Sequence, residues 1–200
     1  MRAAHDPDPH KIARFAELTV VPWRNGGGLT REVASGGSGE GGFDWRISIA
    51  DVEVPGPFSA FPGLDRTITL VGGERMDLAI DGVEHVLGLH ELLTFDGASQ
   101  TSCLLPNGPT RDLNVMTRRD RLSSQVAIRD LSQTEPLILA DGQFLVLLTG
   151  SAVVTADPGG RADLGPLDVV CPDGPALRWV VGSGQAAVVQ IESSPKPASR

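Results

Sequence analysis

Two stretches of equal length decide how this chain folds. Val71–Gly97 reads VGGERMDLAIDGVEHVLGLHELLTFDG, and Leu148–Gly174 reads LTGSAVVTADPGGRADLGPLDVVCPDG. They align without a gap, and the apolar positions of one fall opposite apolar positions of the other. Identical residues occur in the pairs Gly73/Gly150, Ala79/Ala156, Gly82/Gly159, Leu87/Leu164, Gly88/Gly165, Asp96/Asp173 and Gly97/Gly174. Because most of these are turn residues, composition accounts for part of the match, but the register of the apolar positions favours an internal duplication.

Each copy has the pattern of a small antiparallel barrel. Short β-rich runs are bounded by Gly, Pro or Asp-Gly, and a Leu-Gly pair, an acidic residue and an apolar strand follow the second turn. This order is similar to the central motifs of cupins. Two copies predict an all-β bicupin, that is, two double-stranded β-helix (jelly-roll) barrels packed together. We expect a first barrel with a ligand pocket over 11–115 and a second, structural barrel over 116–192.

Composition excludes several classes of partner and location. The chain has 200 residues, a net charge of −8 and no clustered run of Lys and Arg, so we expect no nucleic-acid partner. No apolar run approaches the roughly 20 residues of a membrane helix, and the N-terminus lacks the apolar segment of a signal peptide. We therefore expect no membrane partner and a cytoplasmic location. Cys103 and Cys171 fit buried thiols better than a disulfide.

The first segment with chemical character is VPWRNGGGLTRE, Val21–Glu32. Its three consecutive glycines permit positive φ and close backbone approach. Trp23 could offer a stacking face, and Asn25 could donate and accept hydrogen bonds. A glycine-rich turn between strands, with the tryptophan in the core, explains the residues equally well.

The second segment is FDWRISIA, Phe43–Ala50. Strand alternation places Arg46, Ser48 and Ala50 on one face. Small residues beside a forked cation suit the wall of a carboxylate-binding cavity, because a guanidinium binds a carboxylate through two hydrogen bonds. An ordinary solvent-exposed face with a surface arginine is the alternative.

Two further segments complete the candidate site. Gly56–Arg66, GPFSAFPGLDR, is a stiff loop that contains Phe58 and Ser59 and ends in Asp65-Arg66. That last pair is either a local ion pair or a placed cation with its orienting partner. In Arg111–Arg119, RDLNVMTRR, alternation puts Asn114 on one face with Asp112 and Met116.

The blocks WRNGGGLTRE, FDWRISIADV, GPFSAFPGLDRT and RDLNVMTRR, in this order, resemble the signature blocks of the HutD/Ves family. With the repeat, the resemblance covers nearly all of residues 15–192. It implies a cytosolic bicupin. HutD members are linked to histidine utilisation through binding of an intermediate such as N-formylglutamate, and Ves members to a cold or stress response. The family brings no established catalytic residues, so none is assigned here.

The histidines do not form the metal-binding set of cupin enzymes. Of the four histidines, His5 and His10 lie in the N-terminal tail, and His85 and His90 have no His-x-His partner. We therefore predict neither a metal nor another cofactor. Imidazole and carboxylate groups hold Fe, Mn, Ni or Zn in cupin enzymes, and we expect guanidinium and amide groups in place of the imidazoles here.

The favoured function is binding of a small acidic metabolite, and a homodimer is a possible assembly. A metal-independent isomerase or hydrolase, with Asp65 or Glu32 as base, is the second hypothesis, and a protein-interaction module is the third. The ligand-binding residues that we predict are Trp23, Asn25, Arg46, Ser48, Phe58, Ser59, Asp65, Arg66 and Asn114.

Overall fold

The computed structural model describes residues 11–37, 42–156, 160–172, 174 and 177–194. In this part of the chain the regular structure is β-strand, apart from one short 3-10 helix at Phe15–Glu17. None of its helices is long and apolar enough to cross a membrane. The strands are β1 (Ile12–Ala13), β2 (Val20–Pro22), β3 (Gly28–Gly36), β4 (Trp45–Val52), β5 (Gly56–Pro57), β6 (Leu64–Gly72), β7 (Arg75–Ile80), β8 (Val83–Gly88), β9 (Leu92–Asp96), β10 (Thr101–Leu104), β11 (Thr110–Arg118), β12 (Leu122–Leu131), β13 (Leu137–Leu139), β14 (Gln143–Leu147), β15 (Ser151–Ala156), β16 (Arg161–Leu164), β17 (Val169–Val170) and β18 (Arg178–Ser193).

The chain divides into two compact units. The N-terminal unit contains 18–124 with 192–194, and the C-terminal unit contains 11–17 with 125–191. Strand β1 belongs to the C-terminal unit because Ile12 and Ala13 pair with Val170 and Val169 of β17. The first strand of the described residues thus belongs to the unit that is built mainly from the second half of the sequence. The bounds 11–115 and 116–192 for two separate barrels remain a prediction.

Two antiparallel sheets build the N-terminal unit. One has six strands in the order β2-β3-β4-β11-β6-β9, and the other has four in the order β5-β10-β7-β8. Their facing side chains form one apolar cluster, in which burial of aliphatic groups contributes roughly 25 cal/mol per Å² removed from water. The buried members are Val52, Ile68, Leu70, Met76, Leu78, Ile80, Leu87 and Cys103.

The six-stranded sheet places its inward side chains in rows that cross β4, β11 and β6. The first row is Arg46, Met116 and Arg66; the second is Ser48, Asn114 and Ile68; the third is Ala50, Asp112 and Leu70. Alternate residues of a strand share one face, so these rows lie on the same side of the sheet. The inner face therefore combines polar side chains of all three rows with the apolar side chains Ile68 and Leu70.

The C-terminal unit is built on an eight-stranded sheet. Its main path is β1-β17-β14-β18-β15-β16, and β12 and β13 also pair with β18. Its core cluster is aliphatic: Leu139, Leu145, Leu147, Ala152, Val154, Leu164, Val170, Val180 and Ala186. A buried cation, Arg178, is 1% exposed on β18.

The two copies of the sequence repeat form equivalent elements. The hairpin β7–β8 corresponds to β15–β16, and the pair β6–β9 corresponds to β14–β17. Gly73 and Gly150, which are identical in the repeat, both begin their hairpin with positive φ, at 84° and 81°. An L side chain is strained there, which explains why the two copies keep glycine at this turn.

Candidate functional site

A cavity of about 590 Å³ opens at the polar rows of the N-terminal unit. This volume falls within the range of small-molecule sites, roughly 300–1,000 Å³. Of the described residues, three arginines and one glutamate contribute charge to its wall. The lining residues are Val21, Pro22, Trp23, Arg24, Asn25, Thr30, Glu32, Arg46, Ser48, Ala50, Pro57, Phe58, Ser59, Phe61, Arg66, Asn114 and Met116.

Arg66 is the buried cation of the cavity. It is 6% exposed, and its guanidinium carbon lies 4.9 Å from the ring centroid of Phe58 and 5.7 Å from that of Phe95. Its Nε donates a 2.7 Å hydrogen bond to Oδ1 of Asn114. Among the described residues no partner engages its two Nη atoms. The rings fix the plane of the guanidinium, so the terminal nitrogens are ready to hold a planar anion.

A hydrogen-bonded relay runs from Arg66 through Asn114 to Asp112. Because Asn114 Oδ1 accepts from the guanidinium, its Nδ2 faces Asp112 and donates to Oδ1 of that carboxyl group. Asp112 is fully buried, and its Oδ2 has no partner in the described structure. Burying a carboxylate oxygen without a hydrogen bond costs free energy, so the surroundings disfavour the ionised form of Asp112.

Burial sets the protonation of this relay. It lowers the pKa of Arg66 to about 10, against the opposing effect of Asp112, so the guanidinium stays charged at neutral pH. It raises the pKa of Asp112 to about 7, although Arg66 and the Asn114 hydrogen bond favour the carboxylate. The Asp112 carboxyl group is therefore present in both protonation states near neutral pH.

A second cation lies at the more exposed side of the cavity. Arg46 Nε lies 3.0 Å from Oε2 of Glu32, and its guanidinium carbon lies 5.8 Å from the Phe43 ring centroid. The contact with Glu32 lacks hydrogen-bond geometry, since Arg46 Nε has no hydrogen-bond partner. Glu32 Oε1 accepts instead from Ser35 Oγ at 2.7 Å. Such half-exposed ion pairs contribute about 0–1 kcal/mol, so Arg46 can exchange Glu32 for another anion at little cost.

The glycine-rich segment is both a turn and a wall of the cavity. It joins β2 to β3, and Gly26 has a φ of 70°. A Cβ on Gly28 would lie 2.3 Å from the carbonyl oxygen of Asp51, so the close approach of β3 to β4 requires glycine here. Asn25 Oδ1 accepts from Gly27 N at 3.0 Å, which tightens the turn.

Trp23 forms an aromatic wall with the loop after β5. Its indole Nε1 donates to Thr30 Oγ1 at 2.7 Å, and its ring meets Phe58 edge to face at 5.8 Å and 83°. The Phe58 ring thus contacts both Trp23 and the Arg66 guanidinium. Trp23 and Phe58 also pack against the apolar cluster, so the wall rests on the core.

Eight of the nine predicted ligand-binding residues line this one cavity: Trp23, Asn25, Arg46, Ser48, Phe58, Ser59, Arg66 and Asn114. Their role in binding remains a prediction. The structure does not bring Asp65 to this cavity, because it precedes Arg66 on β6 and therefore lies on the opposite face of the sheet. There it forms an ion pair of 2.7 Å with Arg119, which also contacts Asp96 at 2.9 Å.

The sequence analysis did not predict that Asp112 and Phe95 interact with Arg66. Alternation in Arg111–Arg119 had put Asp112 on the face of Asn114, and this was the signal that could have found it. Phe95 has no such local signal, because it reaches Arg66 only through the pairing of β9 with β6. Within the described residues, no group of three or more His, Cys, Asp and Glu side chains is arranged to hold a metal ion.

The HutD family model matches residues 16–189. The chain is 38% identical over 150 residues to Protein Ves of Citrobacter koseri, which covers 72% of this chain and 78% of that protein. It is 34% identical over 153 residues to an uncharacterized 21.2 kDa protein in the hutC 3' region of Pseudomonas putida, covering 76% and 79%.

Solved structures agree with this match. The structure of HutD from Pseudomonas fluorescens SBW25, in a formate condition, superposes with a TM-score of 0.77 at 30% identity, covering 92% of this chain and 98% of that one. A cupin 2 conserved barrel domain protein from Leptotrichia buccalis has a TM-score of 0.64 at 9% identity, covering 94% and 98%, which shows the cupin fold alone.

Proposed function

The chain belongs to the HutD family, and from this premise we propose that it binds a small acidic metabolite in the cavity of the N-terminal unit. The observation that carries the proposal is Arg66, a buried guanidinium whose Nη edge has no partner among the described residues. Burying a cation is costly unless an anion or a hydrogen-bond acceptor completes its coordination. A carboxylate on this edge would complete it with two parallel hydrogen bonds.

The surroundings of Arg66 support a carboxylate better than a neutral ligand. The guanidinium contacts the rings of Phe58 and Phe95, so little side-chain entropy remains to be lost on binding. Arg46 offers a second cation to a dicarboxylate if it leaves Glu32. Ser48, Ser59 and Asn25 would orient the polar remainder of the ligand, and Trp23 and Phe58 would exclude water from it.

The names of two similar proteins support a role connected with histidine utilisation. One relative is encoded in the hutC 3' region, and one structural neighbour is a HutD. An acid resembling N-formylglutamate is therefore our first candidate ligand. In this proposal the protein modulates histidine utilisation or, as implied by its similarity to Protein Ves, a stress response. Binding without turnover in the cytoplasm is part of this proposal.

The test is titration calorimetry and thermal shift with formate, glutarate, N-formyl-L-glutamate and urocanate. Arg66→Lys keeps the positive charge but removes the planar guanidinium with its two parallel donors. We therefore expect affinity to fall about 10- to 100-fold, which corresponds to the free energy of one charge-assisted hydrogen bond. Arg119→Lys is the matched control, because this exposed arginine pairs with Asp65 outside the cavity. The proposal fails if none of the four acids binds the wild-type protein.

Glu32 favours one alternative, a metal-independent isomerase or hydrolase acting on a small carboxylic acid. Its carboxylate lines the cavity beside Arg46, where it could act as a base. Overnight proton NMR of the protein with each acid separates the two functions. A binding protein leaves the acid unchanged, whereas an enzyme converts it and Glu32→Gln abolishes the conversion.

We also propose that the two units are the two barrels of a bicupin. The sequence repeat, the equivalent strand pairing of its two copies and the cupin fold of the structural neighbours support this. In this arrangement the first barrel keeps a polar inner face, and the second keeps the aliphatic cluster described above. Ligand chemistry would then belong to the first barrel alone.

A further inference from the structure

We propose that binding of an anion in the cavity is coupled to uptake of one proton by Asp112, which acts as a positioning residue behind Arg66. This inference rests on the proposed function and adds its regulation by pH. It starts from the relay Asp112–Asn114–Arg66, in which every member is at most 6% exposed. The unpartnered Oδ2 of Asp112 is the group that would receive the proton.

Charge balance inside the relay gives the reason. Arg66 is linked through Asn114 to one buried carboxyl group, Asp112, and the opposite charges of the two groups attract each other. A ligand carboxylate on the Nη edge of Arg66 adds a second negative charge beside the same cation. The ligand carboxylate and the Asp112 carboxylate, which is linked to the same guanidinium through Asn114, repel each other in a low-dielectric site, so uptake of a proton by one of them is favoured. The ligand acids are strong enough to stay ionised, and the proton goes to Asp112.

The other groups around Asp112 do not supply an alternative countercharge. On β10 of the four-stranded sheet, burial raises the pKa of the Cys103 thiol, so it is neutral. On β4, Asp51 makes ionisation of Asp112 harder, and its own carboxylate is held by Arg31 and Arg111. Among the buried carboxylate oxygens of the described residues, Oδ2 of Asp112 lacks a hydrogen bond and can therefore accept the proton.

The sign of the effect follows from linkage. A bound anion raises the pKa of Asp112 above its value of about 7 in the unliganded protein. Affinity is then highest below that value, where Asp112 is already protonated in both states. It falls by up to about tenfold per pH unit as the pH rises through the interval between the free and bound values. Asn114 transmits the change, since its Nδ2 donor can bond either protonation state of Oδ1.

The experiment is calorimetry with formate, glutarate and N-formyl-L-glutamate from about pH 6 to about pH 9, in buffers of different ionisation enthalpy. Formate and N-formyl-L-glutamate stay ionised throughout, and glutarate is compared only from about pH 7 upward, where its second carboxyl group is ionised as well. For the wild-type protein we expect affinity to fall about tenfold or more across the range, with up to about one proton taken up per anion near pH 8. Asp112→Asn should bind with a flat pH profile and no proton uptake.

Asp65→Asn is the matched control, because it removes a carboxylate one residue from Arg66 on the opposite face, and it should keep the wild-type profile. Difference infrared spectroscopy of the wild type gives a second measurement that needs no variant. The C=O stretch of a protonated carboxyl group should appear when the anion binds near pH 8. Binding with a flat pH profile, or without proton uptake, overturns this inference and leaves the proposed function standing. No binding by any acid overturns both.

Discussion

Replacing Arg66 by methionine tests whether the buried relay is held together by charge. The substitution keeps an unbranched side chain between Phe58 and Phe95 but removes the guanidinium. It leaves Asp112 without its cation and Asn114 Oδ1 without its donor. Removing one partner of a buried pair typically costs about 3–5 kcal/mol, and the orphaned amide oxygen adds about 1–3 kcal/mol.

The loss should depend on pH in a defined direction. Without Arg66 the pKa of Asp112 rises above about 7, farther from the ordinary value of 3.8 for the unfolded chain. Between those two values the folded state binds the extra proton, so the free energy of unfolding falls as pH rises. We expect Arg66→Met to lose about 4 kcal/mol or more near pH 8.5 and clearly less near pH 5.5, where Asp112 is protonated.

Urea unfolding followed by tryptophan fluorescence at both pH values measures this difference. The double variant Arg66→Met/Asp112→Asn removes the charge as well as the cation. It should recover to within about 2 kcal/mol of the wild type, with little dependence on pH, because a buried ion pair can be replaced by neutral groups at small net cost. Equal losses at the two pH values, or a double variant as unstable as the single one, would refute the electrostatic account.

Two further expectations concern backbone packing and the thiols. Gly28→Ala should destabilise the protein by about 3 kcal/mol or more in urea unfolding, because its Cβ would lie 2.3 Å from Asp51 O, whereas Gly26→Ala, with φ 70° but open space, should cost only about 1 kcal/mol. Equal effects at the two glycines would argue against the close approach of β3 and β4. Burial raises the pKa of both Cys103 and Cys171, so a thiol reagent near pH 8 should label neither in the folded protein and both in denaturant. Rapid labelling of the folded protein would contradict their burial.

The structure also explains how the N-terminal unit can have a polar cavity although both units contain a copy of the repeat. Both units use the same hairpin and strand pairings, so the repeat encodes a scaffold. Polar residues on the inner face of the N-terminal unit come from β4, β6 and β11. None of them lies in the repeated stretch Val71–Gly97; they are Arg46, Ser48, Arg66, Asp112 and Asn114. A site can therefore differ between two copies of one scaffold without a change in its turns.

Several features of the fold and the site could be predicted from local sequence. Turn residues and apolar runs predicted an all-β chain, and the repeat identified hairpins that the structure contains at β7–β8 and β15–β16. Alternation correctly put Arg46 with Ser48, and Asn114 with Asp112 and Met116. These predictions succeed because a strand fixes the relative direction of its own side chains, whatever its neighbours are.

Tertiary structure alone decided which of these faces meet and which are buried. Arg66 and Asn114 are 48 residues apart in sequence, and their hydrogen bond exists because β6 and β11 are neighbours in the sheet. Asp65 and Arg66 are adjacent on β6 and therefore point to opposite faces of the sheet, so Arg66 lines the cavity and Asp65 lies outside it. The pKa of Asp112 depends on burial among several strands. Local pattern determines a side chain's direction relative to its own strand, whereas its solvation and its partners arise from contacts between distant segments.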